Sequence, residues 1–259
     1  LLRGGYKTFA RSRNIIGRIP VSGLILGDAG GNGTTPKSME EMLKHAYMDR
    51  VQGIIFDIDS PGGAVVPSSE IADQVRNLEI PTVALVHSLA ASGAYWIASA
   101  CDAIVANEFS RVGSIGVISP HHDFSKLAEK LGVREDGIQS GKYKDMGSPF
   151  RSYTDEERTI LQEEINTIHQ GFINAIAENR NLDPEKVAVL ANGLTYHGAK
   201  AQEFGLIDVV GNLDVAIAII ENVGEFKHNK IIDYQPQKGL RQLLGARAAT
   251  SHFGSHITQ

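Results

Sequence analysis

Short, mostly apolar runs alternate with amphipathic stretches along the first half of the chain. The runs Ile15–Ile25, Val51–Asp59 and Thr82–His87 are rich in β-branched residues, which is typical of strands buried on both faces. Between them, the spacing of apolar residues predicts helices over Lys37–Asp49 and Pro67–Leu78. Strands that alternate with helices in this way predict an α/β fold with a mostly parallel sheet.

The pattern continues past the third strand with shorter elements. It predicts a helix over Gly93–Cys101, a strand over Ala103–Ala106, a strand from Ser110 and a helix over Phe124–Leu131. The tetrapeptide "SPGG", Ser60–Gly63, is expected to form a turn, because proline and glycine together are typical of turns.

The C-terminal third is predicted to be helical. Thr154 followed by Glu157 is a capping-box signature, and it predicts a long helix that ends near Asn179. The apolar stripe of this helix consists of Ile160, Ile165, Ile168, Phe172 and Ile176. Shorter helices are expected at Pro184–Ala191, Gly198–Phe204 and Asn212–Val223.

No linker or internal repeat divides the chain, so one domain is predicted over residues 15–234. Residues 1–14 begin with "LLRGG" and carry several cationic side chains, which fits a segment that follows a removed membrane anchor and equally fits a frayed terminus. Residues 235–259 have little core-forming periodicity and are expected to be a flexible tail. The uncharged run Ile80–Cys101 is long enough to span a bilayer, but its polar residues indicate a buried strand and a buried helix.

Composition excludes several classes of function. The chain has 259 residues, 42% of them hydrophobic and 21% charged, as is typical of a folded globular protein. A net charge of -5 without a basic face gives no reason to expect a nucleic-acid partner. The single cysteine cannot form an intramolecular disulfide, and no metal-ligating cluster is evident, so neither a metal nor a cofactor is expected.

Candidate chemistry begins at Ser92, between the strand that ends near His87 and the predicted helix from Gly93. In parallel sheets, ligands collect at the carboxyl ends of strands, and Ser92 lies at such an end. The backbone N–H groups of Gly63 and Gly93 could be approached closely by a substrate carbonyl and could form an oxyanion hole. A serine next to glycine at a helix start is also typical of an N-cap, so this motif alone leaves both interpretations open.

A nucleophilic serine needs a base, and the sequence offers two kinds. His121 and His122 lie beside Asp123, but neighbours on a chain point in different directions, which disfavours a triad built from them. Lys142 and Lys144 lie in the loop "SGKYKDMGSP", and a buried lysine can lose its proton near neutral pH. Composition does not choose between these two lysines.

Five motifs in register resemble one family. They are "DIDSPGG", "LAASGAYWIASACDAIVA", "VGSIGVI", "SGKYKDMGSP" and "NGLTYHGAKAQEFGLIDVVG". Together they resemble bacterial signal peptide peptidase A, a membrane-associated serine protease with a serine–lysine dyad. By position, the resemblance implies that Ser92 is the nucleophile and Lys144 the general base. It also implies that Gly63 and Gly93 supply the oxyanion hole and that Ser114 orients the lysine.

The resemblance also implies an architecture and a setting. The expected fold is a Clp/crotonase-like spiral of βαβ units with a mostly parallel sheet and a helical C-terminal third. A single repeat resembles the short form of the family, in which neighbouring subunits of a homo-octamer supply the serine and the lysine. The implied substrates are hydrophobic peptides, chiefly remnant signal peptides, in a groove formed by Val65, Ala90 and Ala94. The implied location is the cell membrane, with the catalytic domain on the extracytoplasmic side.

Three other functions fit part of this pattern. Phage prohead proteases share "HSLAASGAYWIASA" and "VGSIGV" and keep the serine–lysine pair. A crotonase-like acyl-CoA binder would also place paired N–H donors at glycine loops, and a non-proteolytic scaffold would keep the fold alone. Reactivity of Ser92 separates the proteases from the other two.

Overall fold

A mostly parallel sheet of eight strands organises the residues that the computed structural model describes, which are 14–28, 33–228 and 230–236. The strands are β1 (Ile15–Ile25), β2 (Gly53–Gly63), β3 (Thr82–Ala91), β4 (Ala103–Ala106), β5 (Arg111–Gly113), β6 (Thr195–His197), β7 (Val209–Val210) and β8 (Lys230–Asp233). Their order is β6-β5-β3-β2-β1-β8, with β4 paired to β3 and β7. Only β5 and β6 pair antiparallel among these strands.

Helices cover both faces of the sheet. They are α1 (Pro36–Met48), α2 (Val65–Arg76), α3 (Gly93–Ser99), α4 (Ser125–Lys130), α5 (Asp155–Arg180), α6 (Pro184–Leu190), α7 (Gly198–Glu203) and α8 (Leu213–Val223). The larger core lies on the face that packs against α1, α2, α3 and α5. On the other face, Ile16, Ile55 and Val83 pack against Ala216 and Ile220 of α8. The predicted α/β architecture is therefore confirmed.

The turn predicted at Ser60–Gly63 is wrong, because strand β2 continues through it. After a shift of register in each pairing, Gly63 pairs with Ile25 of β1 and Ser60 pairs with Ala90 of β3. The buried Ser60 hydroxyl donates a hydrogen bond of 2.6 Å to the Gly23 carbonyl, which holds the extended strand in place. Long-range pairing has overridden the local turn preference of proline and glycine.

Other element boundaries also differ from the predictions. The strand expected from Ser110 ends at Gly113, since Gly113 and Ser114 both have positive φ and turn the chain out of the sheet. Helix α2 begins at Val65 rather than Pro67, which still lies in the first turn, where a missing N–H leaves no bond unmade. Strands β6, β7 and β8 are too short to show the period of two from which a strand is predicted.

The predicted capping box at the start of α5 is confirmed. The Thr154 hydroxyl accepts from the Glu157 N–H at 3.2 Å, and the Glu157 carboxylate accepts from the Thr154 N–H at 2.9 Å. The predicted apolar stripe is only partly in the core. Phe172 and Ile176 are buried, whereas Ile160, Ile165 and Ile168 are half-buried.

Residues 116–153, here called the peripheral segment, contain no buried side chain. Its only helix is α4, and its apolar side chains are exposed to a degree unusual for a folded chain. Ile118 is 87% exposed and Leu131 is 70% exposed. Apolar surface gathered in one segment is typical of an interface.

The run Ile80–Cys101 forms β3 and α3, as predicted, with most of its side chains buried in the protein core. Within the described ranges, no helix combines the length and apolar character needed to cross a bilayer. The predictions made for residues 1–13 and 237–259 lie outside the described residues.

Candidate active site

Ser92 occupies the corner between β3 and α3 in a backbone conformation that side-chain-bearing residues rarely adopt. Its φ is 52° and its ψ is -125°. The Ser92 N–H donates to the Gly113 carbonyl at 2.8 Å, which holds this conformation from the neighbouring strand β5. Ser92 occupies the N-cap position of α3, but its side chain makes no capping hydrogen bond, so capping does not explain why a serine stands there. A strained serine at a strand–helix corner is typical of an enzyme nucleophile.

Glycines at the end of β2 lie directly against this corner. A Cβ added to Gly62 would lie 2.7 Å from the Gly93 nitrogen and 3.0 Å from the Ser92 Cβ, so only glycine fits there. The Gly63 nitrogen is 3.6 Å from where a Cβ on Gly93 would lie. The structure therefore brings Gly63 and Gly93 together beside Ser92.

A mainly apolar pocket opens at Ser92. Besides Ser92, Gly63 and Gly93, its lining includes Val65, Ser68, Trp96, Val117, Ile168 and Phe172. The Trp96 and Phe172 rings stack with their centroids 4.6 Å apart, which joins α3 to the long helix α5 at the pocket. The pocket would therefore favour an apolar side chain over a charged one.

The groove predicted from the sequence is corrected in part. Val65 lines the pocket, but Ala90 and Ala94 are fully buried and do not. Phe172 was missed because its role depends on α5 folding back onto α3, and helical spacing shows only that it is apolar. Ser68 was also missed; its hydroxyl donates to the Ala64 carbonyl at 2.8 Å, and its side chain lies against Gly93.

Ser114 lies next to the residue that holds Ser92. It follows Gly113, has a φ of 51° and is half-buried, and its N–H donates to the Leu194 carbonyl at 2.7 Å. The positive φ turns the chain away from the sheet at this point. Ser114 is thus close in the chain to the strand that supports the nucleophile.

The two candidate lysines have different environments. Lys142 forms an ion pair with Glu156, and the hydrogen bond that its ammonium donates to that carboxylate raises the pKa of Lys142 above its ordinary value. A lysine held in this way is stabilised as the cation and is poorly suited to act as a base. Lys144 is exposed, and its ammonium group has no hydrogen bond or ion pair to any described residue. Lys144 does not line the Ser92 pocket of its own chain.

The described histidines also do not line that pocket. His87 pairs with Asp57, and the His121 ring packs on Tyr153 with centroids 4.1 Å apart. Hydrogen bonds from two serine hydroxyls lower the pKa of Asp123 to about 2. These contacts disfavour a serine–histidine–aspartate triad.

Arg151 joins the loop that carries Lys144 to the start of α5. Its guanidinium donates hydrogen bonds to the carboxylates of Asp145 and of the buried Glu157. Asp145, Arg151 and Glu157 are here called the Arg151 cluster. Hydrogen bonds from Arg151, followed by the Thr154 N–H, lower the pKa of Glu157 from 4.5 to about 2. The Arg151 hydrogen bonds also hold the pKa of Asp145 below its usual range.

The Glu157 shift predicts how stability depends on pH. Because the folded-state pKa lies below the unfolded value, the stabilisation is complete above about pH 4.5 and is lost as the pH falls to about 2. We expect the free energy of unfolding to fall more steeply across this window for the wild type than for Glu157→Gln. Urea denaturation at several pH values measures both slopes. Glu163→Gln, which changes an exposed carboxylate on the same helix, should keep the wild-type slope. A Glu157→Gln slope equal to that of the wild type would contradict the lowered pKa of Glu157.

The mostly parallel sheet, the strained serine and the apolar pocket beside paired glycines are the features expected of a serine peptidase. The family model "Clp protease" matches residues 10–112, and the model "Peptidase family S49" matches residues 74–226. The chain belongs to peptidase family S49. This membership favours a peptidase over an acyl-CoA binder.

Curated relatives agree with the family assignment. MJ0651 of Methanocaldococcus jannaschii, named as a protease, is 38% identical over 81% of this chain and 67% of its own length. A protein of Enterococcus faecium named as signal peptide peptidase SppA is 36% identical over 74% of this chain and 57% of its own length. A Synechocystis protein named as protease slr0021 is 39% identical over 80% of this chain and 72% of its own length. The matched region thus leaves part of each relative uncovered.

Solved structures show the same fold at low sequence identity. Two structures of the 1510-N membrane-bound stomatin-specific protease superpose with TM-scores of 0.56 and 0.55, each at 16% identity. They cover 88% and 93% of this chain and all of theirs. The expected Clp-like fold is therefore confirmed.

Proposed function

We propose that the protein is an endopeptidase in which Ser92 of one copy and Lys144 of a second copy form a catalytic dyad. The observation that carries this proposal is a contrast between the two side chains. Ser92 is held at a pocket that no described lysine lines, whereas Lys144 is exposed on the peripheral segment and its ammonium has no hydrogen bond or ion pair among the described residues. Both side chains are thus accessible to a second copy, so Lys144 of one copy could reach Ser92 of another.

The chemistry follows from these groups. The Lys144 amine, which must be unprotonated to act as a base, accepts the Ser92 proton as the hydroxyl oxygen attacks the peptide carbonyl carbon. The negative oxygen of the tetrahedral intermediate accepts hydrogen bonds from the Gly63 and Gly93 N–H groups. The lysine then gives its proton to the leaving amine as the C–N bond breaks, and water hydrolyses the acyl-enzyme by the same route. Ser114 orients the lysine.

Assembly is proposed from the exposed surface of the peripheral segment. Ile118, Leu131 and Ile138 are all exposed there, and removing apolar surface from water contributes about 25 cal/mol per Å² before the entropic costs of association are subtracted. A homo-oligomer, with the octamer of the resembled family as the proposed form, would bury these side chains and place Lys144 at a neighbouring Ser92.

The proposed substrates are hydrophobic peptides, among them remnant signal peptides at the cell membrane. Val65, Trp96 and Phe172 give the Ser92 pocket its apolar lining, and one relative carries the name signal peptide peptidase. We propose that the catalytic domain acts on the extracytoplasmic side, held there by a membrane anchor.

Two fluorogenic peptides that differ at one position test the substrate class. We expect the peptide with leucine or alanine before the cleaved bond to have a kcat/KM at least about tenfold above that of the peptide with aspartate, because a mainly apolar pocket solvates a charge poorly. Activity lost with Ser92→Ala assigns the cleavage to this site. Equal cleavage of both peptides would contradict the proposed selectivity, and cleavage that survives Ser92→Ala would contradict the proposed nucleophile.

A further inference from the structure

We propose that Arg151 is a positioning residue for the general base, because the Arg151 cluster fixes the Lys144 loop on the start of α5. This inference rests on the proposed role of Lys144 and deepens it. It assigns a function to Asp145, Arg151 and Glu157, which neither bind substrate nor contact Ser92 in the proposed mechanism.

The first step is the geometry of Arg151 itself. Its Nε and Nη2 atoms each donate to the Asp145 carboxylate at 3.0 Å. Its Nη1 and Nη2 atoms donate to the Glu157 carboxylate at 2.8 and 2.6 Å. One guanidinium therefore makes paired contacts with two carboxylates, a geometry that lysine cannot reproduce.

The second step is that one end of this cluster is fixed. Glu157 is 3% exposed, and its carboxylate also accepts from the Thr154 N–H at the cap of α5. Because α5 is one continuous helix to Arg180 and packs into the core at Phe172, the position of its first turn is fixed relative to the core. The hydrogen bonds of Arg151 connect Asp145, the residue directly after Lys144, to this fixed turn.

A second connection holds the other side of the loop. The Tyr143 hydroxyl donates to Glu156 at 2.5 Å, and the Lys142 ammonium pairs with the same carboxylate. Of the two neighbours of Lys144 in the chain, Tyr143 is thus bound to the first turn of α5 directly and Asp145 through Arg151. The Lys144 side chain is exposed and takes no part in these contacts among the described residues.

The consequence is catalytic rather than only structural. The peripheral segment has no fully buried side chain, so hydrophobic packing within one chain holds the loop only weakly. Proton transfer requires the amine within hydrogen-bond reach of the serine hydroxyl, and a displacement of about 1 Å can lower the rate about 10²-fold. Ion pairs to α5 supply the rigidity that packing does not.

Asp145→Asn is the sharper test, because it weakens the loop contact and leaves the Arg151–Glu157 pair and the helix cap in place. We expect kcat to fall about 10²-fold with KM within about twofold of the wild type. Arg151→Lys should likewise lower kcat and leave KM nearly unchanged, since lysine keeps the charge but loses the paired geometry. Asp155→Asn makes the same chemical change in the first turn of α5 and should keep the wild-type kcat.

Activity is measured per folded, assembled protein, with circular dichroism and sizing of each variant. The inference is overturned if Asp145→Asn keeps the wild-type kcat, or if its loss of activity only matches a loss of folded or assembled protein. Lys144→Ala is assayed in parallel. Full activity in Lys144→Ala would overturn the proposed function itself, whereas an inactive Lys144→Ala beside a fully active Asp145→Asn would overturn only this inference.

Discussion

Replacing Ser92 by alanine should lower kcat for peptide cleavage by about 10⁴- to 10⁶-fold, the scale at which removing a nucleophile acts in serine peptidases. The variant loses the oxygen that forms the acyl-enzyme but keeps the pocket and the neighbouring glycine N–H groups. The positive φ at this position is unfavourable for alanine as well as serine, so the two side chains bear a similar backbone strain. The measurement is kcat/KM on an apolar fluorogenic peptide.

Ser88→Ala is the matched control, because Ser88 is an exposed serine on the same strand β3. Its kcat should stay within about twofold of the wild type, as is usual for a surface substitution. If Ser92→Ala retained more than a few per cent of the activity while folded, a different group would have to be the nucleophile.

Lys144→Ala should lower kcat by about 10³-fold or more, because general base catalysis of this kind contributes 10²- to 10⁴-fold. Lys142→Ala should cost at most about tenfold, since it removes one exposed ion pair that helps to hold the loop. Lys126→Ala, on α4 in the same peripheral segment, should leave the rate unchanged. The three variants are compared on one peptide at one pH. A Lys142→Ala variant more impaired than Lys144→Ala would reverse the assignment of the base.

The sequence was sufficient for the parallel sheet and for the corner at Ser92, because both depend on local patterns. Buried parallel strands are nearly continuous apolar runs, and the change from Thr82–His87 to the small residues after Gly93 marks a strand–helix junction. The local pattern did not predict the end of β2. "SPGG" has the local preference of a turn, and only pairing with β1 and β3 shows that it is strand.

The site needed the structure wherever it depends on distant parts of the chain. The stacking of Trp96 on Phe172 joins residues from α3 and α5, and no spacing within one helix reveals it. The choice between Lys142 and Lys144 was open from composition and was made by resemblance to a family. The Glu156 contact of Lys142 now supports it on physical grounds, since that ion pair favours the charged form.

The central claim is that one active site takes its serine and its lysine from two copies of the chain. The measurement is peptide cleavage by an equal mixture of Ser92→Ala and Lys144→Ala chains, co-expressed so that they assemble together. Each variant alone should be inactive. If the copies mix at random, half of the sites have an intact serine and half of those have an intact lysine, so about a quarter of the wild-type activity should return. A co-assembled mixture as inactive as either variant alone would contradict the claim.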